Sequence, residues 1–130
     1  MKILCIIPIY NEENRLELLL KEIEKFREID LNKINFLLIN NGSNDNSEKI
    51  IGASNFKSIK LKKNRGIGYS LLLGLKIAHK KKYDILVHLA GNFKMSPFDI
   101  PKMLKPILEK KIDYVSGTRF LEKDNYENNP

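Results

Sequence analysis

Apolar residues along the chain fall into short continuous runs that alternate with stretches of three- and four-residue spacing. The continuous aliphatic runs mark strands buried on both faces, and the spaced pattern marks helices with one apolar stripe. Lys2–Ile7 is the first strand, and Pro8-Ile9-Tyr10-Asn11 breaks it. Asn11 is placed to cap a helix, with Glu12 and Glu13 in its first turn and Leu16, Leu19, Leu20, Ile23 and Phe26 as its stripe. Ile34–Ile39 repeats the buried-strand pattern and runs into the turn-forming cluster Asn40-Asn41-Gly42-Ser43-Asn44-Asp45-Asn46-Ser47. There Gly42 can adopt a positive φ, and Ser43 or Asn44 can cap a short helix through Ile50-Ile51.

Ser58–Leu61, with alternating lysines, predicts an edge strand, and Asn64-Arg65-Gly66 opens the next helix. Ile67, Leu71, Leu75 and Ala78 make that helix's apolar face, and Gly74 allows close approach to the sheet. Gly66-Ile67-Gly68-Tyr69-Ser70-Leu71 is not a dinucleotide fingerprint: Leu71 stands where a small residue is needed, and the segment follows the third strand, not the first. Tyr83–Leu89 predicts a fourth strand that stops at Ala90-Gly91-Asn92, where an α/β sheet places its ligand. Ser96-Pro97-Phe98-Asp99 then starts a helix with Ile100, Met103, Leu104, Ile107 and Leu108 on one face and Pro106 bending or interrupting it. Asp113–Phe120 reads as a fifth strand, and residues 122–130 as a frayed polar tail beyond a single domain of residues 1–121. Strands alternating with helices predict an α/β domain, a mostly parallel sheet with helices on both faces.

Composition adds little to this picture and excludes some functions. The length suits one domain with a real core. A net charge of +7 suits phosphate-bearing partners or an anionic membrane face, although the lysines are spread as on a solvated surface. No aromatic strip accompanies them, so nucleic acid is not expected. The lone Cys5 lies in an apolar run, which excludes an internal disulfide and points to a buried thiol in a cytoplasmic setting. The run after Met1-Lys2 is short, ends at Pro8 and lacks a cleavage site, so it is a strand rather than a signal peptide. No stretch approaches the ~20 apolar residues of a membrane span.

The loops carry a resemblance. Ile6-Ile7-Pro8-Ile9-Tyr10-Asn11-Glu12-Glu13, Asn40-Asn41-Gly42-Ser43-Asn44-Asp45, Asn64-Arg65-Gly66, the stretch from Leu89 to Pro101, and Ser116-Gly117-Thr118-Arg119-Phe120 follow one another in order. Together they resemble the nucleotide-sugar-binding region of an inverting family 2 glycosyltransferase, closest to dolichyl-phosphate mannose synthase-like members. The resemblance implies the Rossmann-like GT-A fold and a UDP- or GDP-linked sugar donor. It also implies an acceptor such as a lipid phosphate, at the cytoplasmic membrane face. It places Pro8, Ile9, Tyr10 and Glu12 around the nucleotide, with the backbone at Ile9 beside the base. Asn41 falls where an aspartate commonly contacts the base, with Gly42 and Ser43 next to it, and Arg65 falls where the family has a basic residue near base or phosphate.

Two departures set limits. The family has an aspartate-x-aspartate motif that holds Mg²⁺ or Mn²⁺ against the donor diphosphate, and this chain has Ala90-Gly91-Asn92 there. Ala90 supplies no ligand and Asn92 one neutral carbonyl, a weak candidate set for a hard cation. Lys94 is close enough in sequence to supply charge to a leaving diphosphate instead. Asp99 is explained as a helix-start acid, and His88 as a satisfied histidine of the sheet. The second departure is the family's acceptor half and catalytic base, which lie downstream of the matched region, so a truncated chain is expected and the catalytic residues stay unknown. Two readings remain: the donor-binding part of a glycosyltransferase, or a non-catalytic nucleotide-binding or interaction module on the same fold. An apolar sheet edge after the fifth strand would favour homo-oligomers.

Overall fold

A computed structural model describes residues 1–89 and 96–110. Ala90, Gly91, Asn92 and Lys94, the expected fifth strand and the polar tail lie outside the described residues. The order of elements is β1 (Ile3–Ile9), α1 (Glu13–Ile29), β2 (Asn35–Asn41), α2 (Ser47–Gly52), β3 (Lys57–Leu61), α3 (Ile67–Lys80) and β4 (Ile85–His88). A 3₁₀ turn at Pro97–Asp99 then leads into α4 (Ile100–Lys110). All strand pairings are parallel, in the order β3-β2-β1-β4. The predicted edge strand is therefore an edge.

Side chains of a strand alternate between faces, and both faces of this sheet are covered. Ile3, Cys5, Ile7 and Ile9 of β1 join one core with Leu16, Leu19, Leu20, Ile23 and Phe26 of α1, Ile51 of α2, and Ile100, Met103 and Leu104 of α4. Leu4 and Ile6 point the other way and join Ile39 and Ala78, with Leu71, Leu73 and Ile77 of α3 partly buried against them. Fully burying one such aliphatic side chain is worth roughly 1.5–3 kcal/mol, so β1, buried along its length except at Pro8, anchors both cores. Cys5 is fully buried, and burial pushes its thiol far above the ordinary range, as expected of a core residue.

Several expectations need correction. Pro8 does not end β1, which continues to Ile9. The Ile6 carbonyl accepts from the Leu89 amide, so Pro8, two residues on, turns its missing N–H toward the same side, past the end of β4. No ladder bond is lost there. Asn11 does not cap α1: Glu12 precedes the helix, and Asn11 has a φ of 49°. Likewise α2 starts at Ser47 after Asn46, so neither Ser43 nor Asn44 caps it. On α3 the buried positions are Ser70, Gly74 and Ala78, while Ile67 and Leu75 of the predicted apolar face are exposed. A Cβ on Gly74 would run into the Ile6 side chain, which is the close approach that the glycine allows.

The fourth helix starts as its sequence predicts. Ser96 Oγ accepts from the Phe98 amide at 3.1 Å, and Asp99 Oδ2 accepts from the Ser96 amide at 3.3 Å. Pro106 lies inside α4 without interrupting it, and Leu108 is exposed rather than part of its buried face. The Phe26 and Phe98 rings meet edge to face, 5.4 Å apart. That contact joins the 3₁₀ turn to α1.

Candidate functional site

The chain steps from β1 out to β2 and β3, then returns to place β4 on the far side of β1. The sheet order therefore reverses between β1 and β4, and a crevice opens outside their carboxyl ends, where open parallel sheets bind ligands. Pro8, Ile9 and Tyr10 form the β1 side of this switch point, and β4 delivers the chain to Leu89 and the tripeptide Ala90-Gly91-Asn92 on the other. The Ile9 side chain is fully buried in the core, so only its backbone faces the crevice end of the strand. Tyr10 is 42% exposed.

Three loops at this edge are tied to one another by side chains. The Asn11 amide donates to Ser43 Oγ at 3.0 Å, and Asn11 Oδ1 accepts from the Asn44 amide at 2.9 Å. The Glu12 amide donates to Ser47 Oγ at 3.0 Å and the Glu13 amide to Asp45 Oδ2 at 3.3 Å. Amides at the start of α1 are thus capped from the β2–α2 loop and not by a residue of their own segment. Asp45 Oδ1 also accepts from the Ser47 amide at 2.9 Å. Burial acts to raise the Asp45 carboxyl; hydrogen bonds from the Ser47 amide and hydroxyl and from the Glu13 amide outweigh it and hold the group below the usual carboxylate range.

The third loop is held by Asn41, which is buried. Its Nδ2 donates to the Gly66 carbonyl at 3.2 Å, and its Oδ1 accepts from the Arg65 amide at 2.9 Å. Gly42, at a φ of 73°, lies where a Cβ would collide with the backbone of Lys63 and Asn64. The neighbouring Asn40 Oδ1 accepts from the Ser43 amide at 3.0 Å. Arg65 carries its guanidinium over the Tyr69 ring, 4.7 Å from the centroid.

The expected site residues thus divide. Pro8, the Ile9 backbone, Tyr10, Glu12, Gly42, Ser43 and Arg65 all gather at one sheet edge, and Asn41 and Ser43 act there as ties between loops. Ala90, Gly91, Asn92 and Lys94 lie outside the described residues. The residues that sequence reasoning missed are Asn11, Asp45 and Ser47 as cross-loop partners. Their signal was the density of Asn, Asp and Ser after β2, which reads equally well as local turn chemistry.

His88 was expected to be satisfied, but its Nε2 is buried and has no partner among the described residues, as is the case for Ser70 Oγ on the helix that covers that face. Burial lowers its pKa. Two cavities lined by described residues lie elsewhere. One of about 400 Å³ runs between α1 and the end of α2, lined by Leu20, Ile50 and Phe56 among others, and one of about 210 Å³ sits at the opposite end of the strands. Neither is lined by the loop residues of the switch point, whose β4 side continues into residues beyond the described ones.

The sequence model described as glycosyl transferase family 2 matches residues 4–130. The chain belongs to glycosyl transferase family 2. An uncharacterized protein of Methanocaldococcus jannaschii is 32% identical over 123 residues, 89% of this chain and 51% of that protein. The UDP-N-acetylglucosamine–dolichyl-phosphate N-acetylglucosaminyltransferase of Methanococcus voltae is 29% identical over 145 residues, 98% of this chain and 56% of that enzyme. The glucosyl-3-phosphoglycerate synthase of Mycobacterium tuberculosis, solved with Mn²⁺, UDP and glucosyl-3-phosphoglycerate, superposes with a TM-score of 0.63 at 20% identity. That match covers 83% of this chain and 40% of the synthase. The fold is the Rossmann-like GT-A fold of these glycosyltransferases. This family 2 chain spans about half the length of the curated relatives it matches.

The family implies a divalent metal. Mg²⁺ and Mn²⁺ take oxygen ligands with carboxylates among them. Among the described residues no three His, Cys, Asp or Glu side chains gather into a metal set. Asp45 is bound to backbone amides, and the tripeptide Ala90-Gly91-Asn92 contains one neutral side-chain carbonyl and no carboxylate. These residues do not fit the family's metal site. No helix among the described residues is long and apolar enough to cross a membrane.

Proposed function

We propose that this chain binds the nucleotide of a sugar donor at the switch point between β1 and β4 and serves as the donor half of a glycosyl transfer to a lipid phosphate. The observation that carries the reading is the set of three loops tied into one surface at the carboxyl edge of a parallel sheet. A preorganised edge of this kind needs little ordering when the ligand arrives. The enzyme of Methanococcus voltae, matched along nearly all of this chain, is named for a UDP-sugar donor and a dolichyl-phosphate acceptor, which favours uridine diphosphate and a polyprenyl phosphate here.

Each residue has a part in that reading. The Ile9 backbone and Tyr10 flank the base. Gly42, with no side chain, leaves the β2–α2 loop packed against the β3–α3 loop, so that Arg65 stands at the rim with its main chain fixed. Arg65 and Lys94 supply positive charge toward the diphosphate, which a leaving diphosphate requires. Asn92 supplies a neutral oxygen at the position of the family's acidic motif. The acceptor and the base that deprotonates it belong to the part of the relatives' length that this chain does not span.

Calorimetric titration with UDP and GDP, with Mn²⁺ and with EDTA, tests the reading. Binding of UDP that persists in EDTA and weakens about tenfold or more in Arg65→Ala is the expected result, since a charged hydrogen bond is worth roughly 1.5–3 kcal/mol. Absence of binding by a folded chain to either nucleotide overturns the donor reading and leaves the non-catalytic interaction module. That second reading draws on the missing carboxylates of Ala90-Gly91-Asn92.

A further inference from the structure

Between Glu48 and Asp84 the sequence contains no acidic residue, while nine lysines and arginines lie between Lys57 and Lys82. The chain's net charge is +7, so everything outside this segment sums to a negative value. Lys60 turns to the α2 side, where it pairs with Glu48. Lys57, Lys62, Lys63, Arg65, Lys76, Lys80, Lys81 and Lys82 are all exposed. Apart from Lys57, at the start of β3, they belong to α3 and the segments at its two ends, and α3 lies on the side of the sheet opposite α1.

The outer face of α3 is also apolar. Gly74 faces the sheet; Leu72 lies nearly opposite it and Leu75 a little over a quarter turn from it, and the two leucines are 48% and 47% exposed. Ile67 is 64% exposed at the same helix's start, and Tyr69 lies under the Arg65 guanidinium. His79 is exposed between the leucines, and Lys76 and Lys80 border them on the Leu72 side. An exposed apolar strip rimmed by unopposed cations is the pattern of a helix that lies in the plane of an anionic lipid surface. Nucleic acid would be met by stacking aromatics, and the one aromatic of this face is covered by Arg65.

We propose that the outer face of α3 docks the protein on an anionic membrane surface, with Leu72 and Leu75 entering the headgroup region and Lys76, Lys80, Lys81 and Lys82 meeting lipid phosphates. The N-terminal end of α3 is the end tied to Asn41, so docking sets the rim of the switch-point crevice next to the lipid. The inference stands apart from the donor reading, because vesicle binding and nucleotide titration report on different faces.

The test uses the 130-residue chain and vesicles of phosphatidylcholine alone or mixed in equal parts with phosphatidylglycerol. Binding is expected only to the mixed vesicles. Lys76→Gln and Lys80→Gln should each weaken it about fivefold, and Leu72→Ser with Leu75→Ser should weaken it by at least about fivefold. The chain has no tryptophan, so Leu72→Trp makes a single reporter whose emission should shift to the blue on mixed vesicles. Leu31→Trp, at a position 95% exposed in the α1–β2 connection, should not shift. Equal binding to neutral vesicles, an unshifted Leu72→Trp, or a shift at Leu31→Trp overturns the proposal. So does tighter binding to single-stranded RNA that the leucine variants leave unchanged, or a dimer in sedimentation that those variants dissociate. An unchanged far-UV circular dichroism spectrum and melting temperature in the leucine variants show that their folds are intact.

Discussion

Asn41 shows what a single side chain decides here. The Asn41 amide donates to the Gly66 carbonyl and accepts from the Arg65 amide at once, whereas an ionised aspartate at this position could only accept. Asn41→Asp should therefore cost about 1–3 kcal/mol in urea denaturation at neutral pH, and part of the loss should return when the new carboxyl is protonated. Asn41→Ala removes both bonds and should lose as much at every pH. Asp45 gives the opposite sign. Its carboxyl is held below its ordinary value, so its contribution is full above about pH 4 and is lost as the pH falls through the lowered folded value. Asp45→Asn should remove that acid limb from the stability profile. His88 is half-buried, with its Nε2 shut off from solvent, and burial lowers its pKa, so the folded state favours the neutral ring. Stability should fall as the pH drops below about 6.5 toward the folded value, and His88→Leu should flatten that slope in thermal melts between neutral and mildly acidic pH.

At the scale of elements, the sequence announces its strands and helices more clearly than their ends. The stripe of α1 was legible to the residue, because Leu16, Leu19, Leu20, Ile23 and Phe26 face a sheet that covers the whole stripe. The stripe of α3 was not. Its apolar residues run all round the helix, and the true inward face is marked by the small residues Ser70, Gly74 and Ala78, which a hydrophobic pattern undervalues. Pro8 misled for a related reason: a proline inside a strand costs a ladder bond only on the side where a neighbour exists, and β4 ends too soon to be that neighbour. Glycines supply a contrast that can be measured. Gly42→Ala combines a φ of 73° with a collision against the backbone of Lys63 and Asn64 and should cost about 2–5 kcal/mol. Gly66→Ala has a φ of 83° with open space around it, so its cost should stay near 1–2 kcal/mol. Chemical denaturation of the pair separates conformational strain from packing.

At the scale of the molecule, the parallel sheet was foreseeable from alternating strands and helices, but its strand order was not. Nothing in Ile85–His88 says that this run joins β1 rather than β3. That placement creates the reversal in sheet order and with it the crevice, which the sequence located only as far as the carboxyl end of the fourth strand. The loop sequences had pointed to the same edge through their resemblance to family 2 glycosyltransferases, and membership of that family and the GT-A fold bear the resemblance itself out. What the sequence hid is the division of labour within the edge: Asn11, Asn41, Asp45 and Ser47 fasten the loops together, and that fastening depends on contacts between residues 24 to 35 positions apart in sequence.

The central claim is that a nucleoside diphosphate binds at this fastened edge, and mapping backbone-amide chemical shifts of the isotope-labelled chain during titration with UDP tests it most directly. The account predicts shifts concentrated at Tyr10 to Glu12, Gly42, Ser43, Arg65, Gly66 and Leu89, with α1 and the groove beside Ile50 and Phe56 left unchanged. Shifts confined to that groove, or none in a folded chain at saturating UDP, would contradict it.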